Sequence, residues 1–232
     1  MKKLRVAVLV SGRGTNLQAI LDAIESGGLE AEVVGVFSDR LNPPAFRRAR
    51  ERGIPAISVD PALFSSREAF DEALVREVRR FQPDAVALAG FMRVLTPVFL
   101  RAFPGRVLNI HPALLPAFPG LDAQRRALEH GVRFSGCTVH FVDEGVDTGP
   151  IILQAVVPVY QDDTPETLAA RILAKEHRTY PAALQLLAEG RLRIEGRRVF
   201  INWEGRHPRR PRDCVEEWKE IKDWRKEAPP VG

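Results

Sequence analysis

Asn109 and His111 stand two residues apart in Arg106-Val107-Leu108-Asn109-Ile110-His111. If that run is a strand, their side chains share one face and Ile110 takes the other. A neutral amide beside a titratable imidazole suits acyl transfer: the amide steadies an oxyanion, and the imidazole moves a proton. Pro112 fixes the chain direction just past the histidine. A nearby carboxylate would favour the imidazolium. Asp147 is the leading candidate, in the glycine-flanked segment Asp143-Glu144-Gly145-Val146-Asp147-Thr148-Gly149-Pro150. Asp143, Glu144, Asp162 and Asp163 compete with it by composition, and an aspartate in such a loop also serves as a solvated turn residue. The sequence has no G-x-S-x-G elbow, no metal-ligand histidine spacing, and no charged neighbour beside Cys137. Direct transfer through a tetrahedral intermediate is the chemistry these residues support.

A second feature is Ser11-Gly12-Arg13-Gly14-Thr15-Asn16, between the apolar run Leu4–Val10 and a helical pattern over Asn16–Glu25. A glycine-rich turn opening a helix aims several N–H groups and the positive dipole end at one spot, where a phosphate fits. A dinucleotide fingerprint would need a glycine where Leu17 stands, and a P-loop would need a lysine that is missing. The turn therefore suits one phosphate, with Thr15 and Asn16 adding donors. The alternative is a tight turn in which either residue merely caps the helix.

The elements that must position these residues follow from apolar patterning. Leu4–Val10, Glu32–Phe37, Ala56–Val59, Ala85–Ala89 and Val107–Ile110 read as short buried strands. Asn16–Glu25, Pro44–Arg52, Arg67–Arg80 and Pro97–Ala102 read as helices between them. This βαβα succession predicts a Rossmann-like α/β fold, a mostly parallel sheet with helices on both faces. Ligands of such sheets bind outside the strand C-termini, near a switch in strand order. Beyond Ile110, the three prolines of 111–120 exclude a regular helix or central strand. Leu121–His130 reads as a helix, Ser135–Val142 and Pro150–Val159 as strands, and Thr164–Glu189 as a long helix with Pro165 at its first turn. A hairpin pairs Leu192–Ile194 with Arg198–Ile201. From Glu204 the composition shifts to a basic, Pro-rich stretch and a helical spacing of Trp218, Ile221 and Trp224. The expected division is a domain over 1–202 and a C-terminal extension over 203–232.

Composition narrows the class. The 232 residues are 45% apolar and 28% charged, which suits a globular chain, and a net charge of +4 names no partner. No apolar run is long enough for a membrane helix. The basic then apolar N-terminus stops at Ser11-Gly12-Arg13 without a cleavage site, so it reads as a strand. Two distant cysteines, Cys137 and Cys214, suit a reducing compartment.

Four motifs taken together resemble the phosphoribosylglycinamide formyltransferases. They are Ser-Gly-Arg-Gly-Thr-Asn-Leu-Gln at 11–18, Ala-Gly-Phe-Met-Arg-Val-Leu at 89–95, Leu-Asn-Ile-His-Pro-Ala-Leu-Leu-Pro at 108–116 and Asp-Thr-Gly-Pro-Ile-Ile-Leu-Gln at 147–154. The match runs from about residue 4 to 202. The resemblance implies transfer of the formyl group of 10-formyltetrahydrofolate to the amine of glycinamide ribonucleotide, in purine biosynthesis and in the cytoplasm. It implies Asn109, His111 and Asp147 as the catalytic group, and Gly14, Thr15, Asn16 and Glu176 on the nucleotide. It puts Arg67, Met92, Arg93, Val94 and Leu95 along the folate, with Asn109 and the Asp143–Asp147 segment, including Val146, closing over its ring. It implies small-molecule substrates with no nucleic acid or membrane partner, and leaves a homodimer open. Leu173 departs from the pattern, standing where some relatives carry a polar phosphate neighbour, and the tail has no counterpart. Methionyl-tRNA formyltransferase, with a basic C-terminal domain, and formyltetrahydrofolate deformylase, with an extra N-terminal domain, share the catalytic signature. A phosphometabolite-binding module, or a nucleic-acid binder using Arg206–Arg212, is the non-enzyme reading.

Overall fold

Leu4–Val10 is buried at every position except Arg5, and it forms β1 of a nine-stranded sheet. The computed structural model describes residues 2–203, so 204–232 of the proposed extension, with Cys214, Trp218 and Trp224, lie outside the described residues. In chain order the elements are β1, α1 (Thr15–Glu25), β2 (Ala31–Ser38), α2 (Ala45–Arg50), β3 (Ala56–Ser58), α3 (Arg67–Arg79), β4 (Ala85–Leu88) and α4 (Pro97–Ala102). They continue with β5 (Val107–His111), α5 (Ala123–Glu129), β6 (Phe134–Phe141), β7 (Ile151–Pro158), α6 (Pro165–Ala188), β8 (Leu192–Glu195) and β9 (Arg198–Ile201).

The strand order is β3-β2-β1-β4-β5-β6-β7-β9-β8. All pairs from β3 to β5 are parallel; β5–β6 and β6–β7 are antiparallel. Order reverses between β1 and β4, so the segments leaving those two strands flank the expected ligand crevice. Alternation along β1 explains why it is covered twice. Val6, Val8 and Val10 join Leu17, Ile20, Phe46, Ile172 and Tyr180 on one face. Ala7 and Leu9 join Phe70, Leu74, Val78 and Phe99 on the other. A strand buried on both sides has no room for a polar alternation.

Caps set the helix starts. Ser66 accepts a hydrogen bond from the Ala69 N–H at 3.1 Å, and Thr164 with Thr167 forms a reciprocal box ahead of Pro165. The ends of α2 and α5 lie one to two residues inside the expected limits. A short 3-10 turn at Pro61–Leu63, capped by Asp60, was not expected from the pattern. Helix α6 runs on past the internal Pro181 because that stretch is locked into the core. There the Tyr180 hydroxyl reaches the Leu88 carbonyl at 3.0 Å and the Leu108 carbonyl at 2.9 Å, clasping β4 to β5.

Candidate active site

Strand β5 places Asn109 and His111 on one face, as their spacing requires, and its antiparallel pairing with β6 sets His140 directly opposite Asn109. Asp147 arrives differently. The chain leaves β6 beside Val107, where the Val142 N–H meets the Val107 carbonyl at 2.9 Å, so the next loop must fold back over β5. Asp143 makes that fold, accepting hydrogen bonds from the Gly145 N–H and the Thr148 hydroxyl. Asp147 itself takes a left-handed backbone, φ 55°. Gly149 admits no side chain, since a Cβ there would lie 1.8 Å from the Phe141 carbonyl oxygen.

The result is a buried polar cluster. Asp147 Oδ2 lies 3.1 Å from His111 Nδ1 and accepts the Gly120 N–H at 2.8 Å. Its Oδ1 accepts from the Asn109 amide at 3.3 Å and lies 3.6 Å from His140 Nε2. Burial works to raise the Asp147 pKa, but the His140 ring, the Gly120 N–H and the His111 charge outweigh it and hold it below the usual carboxylate value. His111 Nε2 meets the Phe118 carbonyl at 2.8 Å. Each ring nitrogen thus faces an oxygen, and a neutral ring can donate to only one of them. Burial nevertheless lowers the His111 pKa below the ordinary histidine value, against the pull of Asp147 and Phe118. The pull expected of Asp147 is present, but burial is the larger effect.

His140 carries no motif and escaped the sequence reading. Its Nδ1 lies 2.8 Å from the Phe141 carbonyl oxygen, and its Nε2 faces both the Asn109 amide nitrogen at 3.3 Å and Asp147 Oδ1 at 3.6 Å. The only signal for it was its place opposite Asn109 once the two strands are paired.

The turn after β1 forms a separate polar site. Gly14 caps α1 in the left-handed region, and a Cβ on it would meet the Ala45 side chain at 2.6 Å. Thr15 and Asn16 are the first helical residues and neither caps the helix through its side chain. Asn16 is buried and donates to Glu176 at 2.7 Å, while its own carbonyl oxygen is buried without a partner. Burial lifts the Glu176 pKa against that single donor. Residues 160 apart in sequence, expected on one ligand only by resemblance, are in direct contact.

Ser11 joins this turn to the segment after β4. Its hydroxyl donates to buried Asp39 at 2.6 Å and accepts the Met92 N–H at 2.9 Å. Met92 and Val94 expose large apolar side chains there, as does Val146 on the loop that carries Asp147. Leu95, in contrast, is core. The Arg93 guanidinium stacks on Phe70 at 4.9 Å, and Arg67 donates to the Val94 carbonyl at 2.8 Å. Glu144 is exposed, and Asp163 belongs to an ion pair with Arg171 at 2.7 Å, away from the cluster. Burial pushes the Cys137 thiol up to about 11, which leaves it a poor nucleophile. Among the described residues no group of three His, Cys, Asp or Glu could hold a metal, and no helix is long and apolar enough to cross a membrane.

Known proteins share this arrangement of elements. A crystal structure of glycinamide ribonucleotide transformylase 1 from Symbiobacterium toebii is 58% identical, with a TM-score of 0.85, covering 86% of this chain and 94% of that one. Phosphoribosylglycinamide formyltransferase of Escherichia coli is 43% identical over 86% of this chain and 94% of its own length. The trifunctional purine biosynthetic protein adenosine-3 of Drosophila pseudoobscura is 51% identical over 82% of this chain, which spans only 14% of that longer protein. The formyl transferase family model matches residues 4–184, a stretch that holds both polar sites and the paired strands β5 and β6. The chain belongs to the formyl transferase family.

Proposed function

We propose that the protein transfers the formyl group of 10-formyltetrahydrofolate to the amine of glycinamide ribonucleotide, a step of purine biosynthesis. The observation that carries this reading is the contact of Asp147 with both His111 and Asn109, on the same sheet as a turn suited to one phosphate. The residues fit a reduced folate. The exposed apolar side chains of Met92, Val94 and Val146 suit a flat bicyclic ring, and exposed Arg67 suits the carboxylate end of the molecule. Gly14, Thr15 and Asn16 hold the nucleotide phosphate, and Glu176 accepts from the ribose hydroxyls.

The amine then attacks the formyl carbon. One C–N bond forms, the bond to the folate nitrogen breaks, and the proton lost by the amine ends on that nitrogen. Asn109 donates to the oxygen as it gains negative charge. His111 exchanges the Phe118 carbonyl for that oxygen, taking up a proton that Asp147 then stabilises. His111 and Asp147 together pass the proton on. Holding both reactants in one crevice removes the entropy cost of their encounter.

The same reading makes 1–202 the catalytic domain and 203–232 an extension. It gives the chain small-molecule substrates without nucleic acid, in the cytoplasm, with a homodimer compatible with it. The test is a spectroscopic formyl-transfer assay with glycinamide ribonucleotide, initiator tRNA and water as competing acceptors. Only the nucleotide is consumed, and His111→Ala loses roughly 10²–10⁴-fold in kcat. Consumption of tRNA or water instead, or full turnover in His111→Ala, overturns it. Binding to an oligonucleotide that falls steeply with salt would point to the nucleic-acid alternative.

A further inference from the structure

The acceptor's phosphate is a dianion, yet neither Thr15 nor Asn16 is charged. Arg48, on α2, lies against the turn from the other side. Its Nε donates to the Arg13 carbonyl at 3.1 Å and its Nη1 to the Gln18 side chain at 2.9 Å. Its Cδ lies 3.7 Å from the position a Gly14 Cβ would take. The guanidinium has five N–H groups in a rigid fork, so two fixed bonds leave donors for an oxyanion.

Three further observations point to a ligand here. A groove of about 560 Å³ opens beside the turn, lined by Thr15, Gln18, Asp22, Ser26, Arg48 and His177 among others. His177, on the groove wall, has its Nε2 buried without a partner. Asp22, the acidic residue of the groove, is occupied by Gln18 at 2.6 Å and Arg52 at 3.7 Å, so it is not left to cancel the Arg48 charge. Glu51, also near Arg48, pairs with Arg47 at 2.7 Å.

We propose that Arg48 is a substrate-binding residue whose guanidinium, laid over Gly14 by the Arg13 carbonyl and Gln18, pairs with the acceptor's phosphate held at Thr15 and Asn16. The closeness of approach that Gly14 permits is what brings the charge within reach. This assignment rests on the acceptor being a phosphate monoester, as proposed above.

Its test compares glycinamide ribonucleotide with the matching riboside, which lacks the phosphate. For Arg48→Ala the ratio of kcat/KM on nucleotide to that on riboside falls roughly 10- to 100-fold below wild type, through KM for the nucleotide. Arg48→Lys, which restores charge without the fork, recovers part of that ratio. A ratio unchanged in Arg48→Ala, or a lysine no better than alanine, overturns the assignment; equal losses on both acceptors mark a structural arginine and overturn it too. Failure of the underlying reading shows elsewhere, as a wild-type protein that does not prefer the nucleotide at all.

Discussion

Asp147 and Glu176 are both withdrawn from water, yet their surroundings drive them in opposite directions. Asp147 receives the Gly120 N–H, the Asn109 amide and two histidine rings, and it stays ionised. Glu176 receives the Asn16 amide, and burial lifts its pKa. Burial alone therefore does not decide the charge of a carboxyl group; the number of donors aimed at it does. The difference fits two tasks. A carboxylate that steadies a histidine through a reaction must stay charged, whereas a carboxyl group waiting for a ligand's hydroxyls is completed only when they arrive.

Asp147→Asn breaks the comparison most severely. It removes the charge that opposes burial at His111, so kcat falls roughly 10²–10⁴-fold. The His111 pKa, read by NMR of the ring, moves further down, and an upward shift would contradict the assigned direction. Glu176→Gln should cost less, with KM for the nucleotide rising roughly threefold to tenfold. Its effect on stability carries a sign. A carboxyl group whose folded pKa is raised contributes stability that is full below its ordinary value and lost as pH rises through the folded one. The glutamine variant therefore matches wild type in acid and gains on it toward alkaline pH, as denaturant titrations at several pH values will read. Asp163→Asn sharpens the contrast with the smallest functional effect. Arg171 holds Asp163 at about 2, so this pair stabilises the fold above the ordinary aspartate range and stops doing so as pH falls toward 2. The variant loses about 1–2 kcal/mol at neutral pH with turnover unchanged.

What was legible in the sequence follows the same division between local and distant partners. The parallel half of the sheet, the turn at 11–16 and the pair Asn109/His111 are each written within a few neighbouring residues, and period or spacing reveals them. The place of Asp147 among several acids was read from its motif, because a loop that folds back over a strand leaves no periodic trace. His140 was invisible for a related reason. In Phe134–Phe141 it occupies one position of a strand buried from Ser135 onward, and only the register opposite Asn109 gives it a role. The pull of a carboxylate on His111 was foreseeable from the motifs, whereas the burial that outweighs it depends on everything packed around the ring.

Glu176 and Tyr180 stand one helical turn apart on α6, one touching the turn after β1 and the other clasping β4 to β5, the strand that carries Asn109 and His111. A single rod thus touches both polar regions of the sheet edge. Sliding that rod would strain both contacts at once, so the two polar sites are linked through one element.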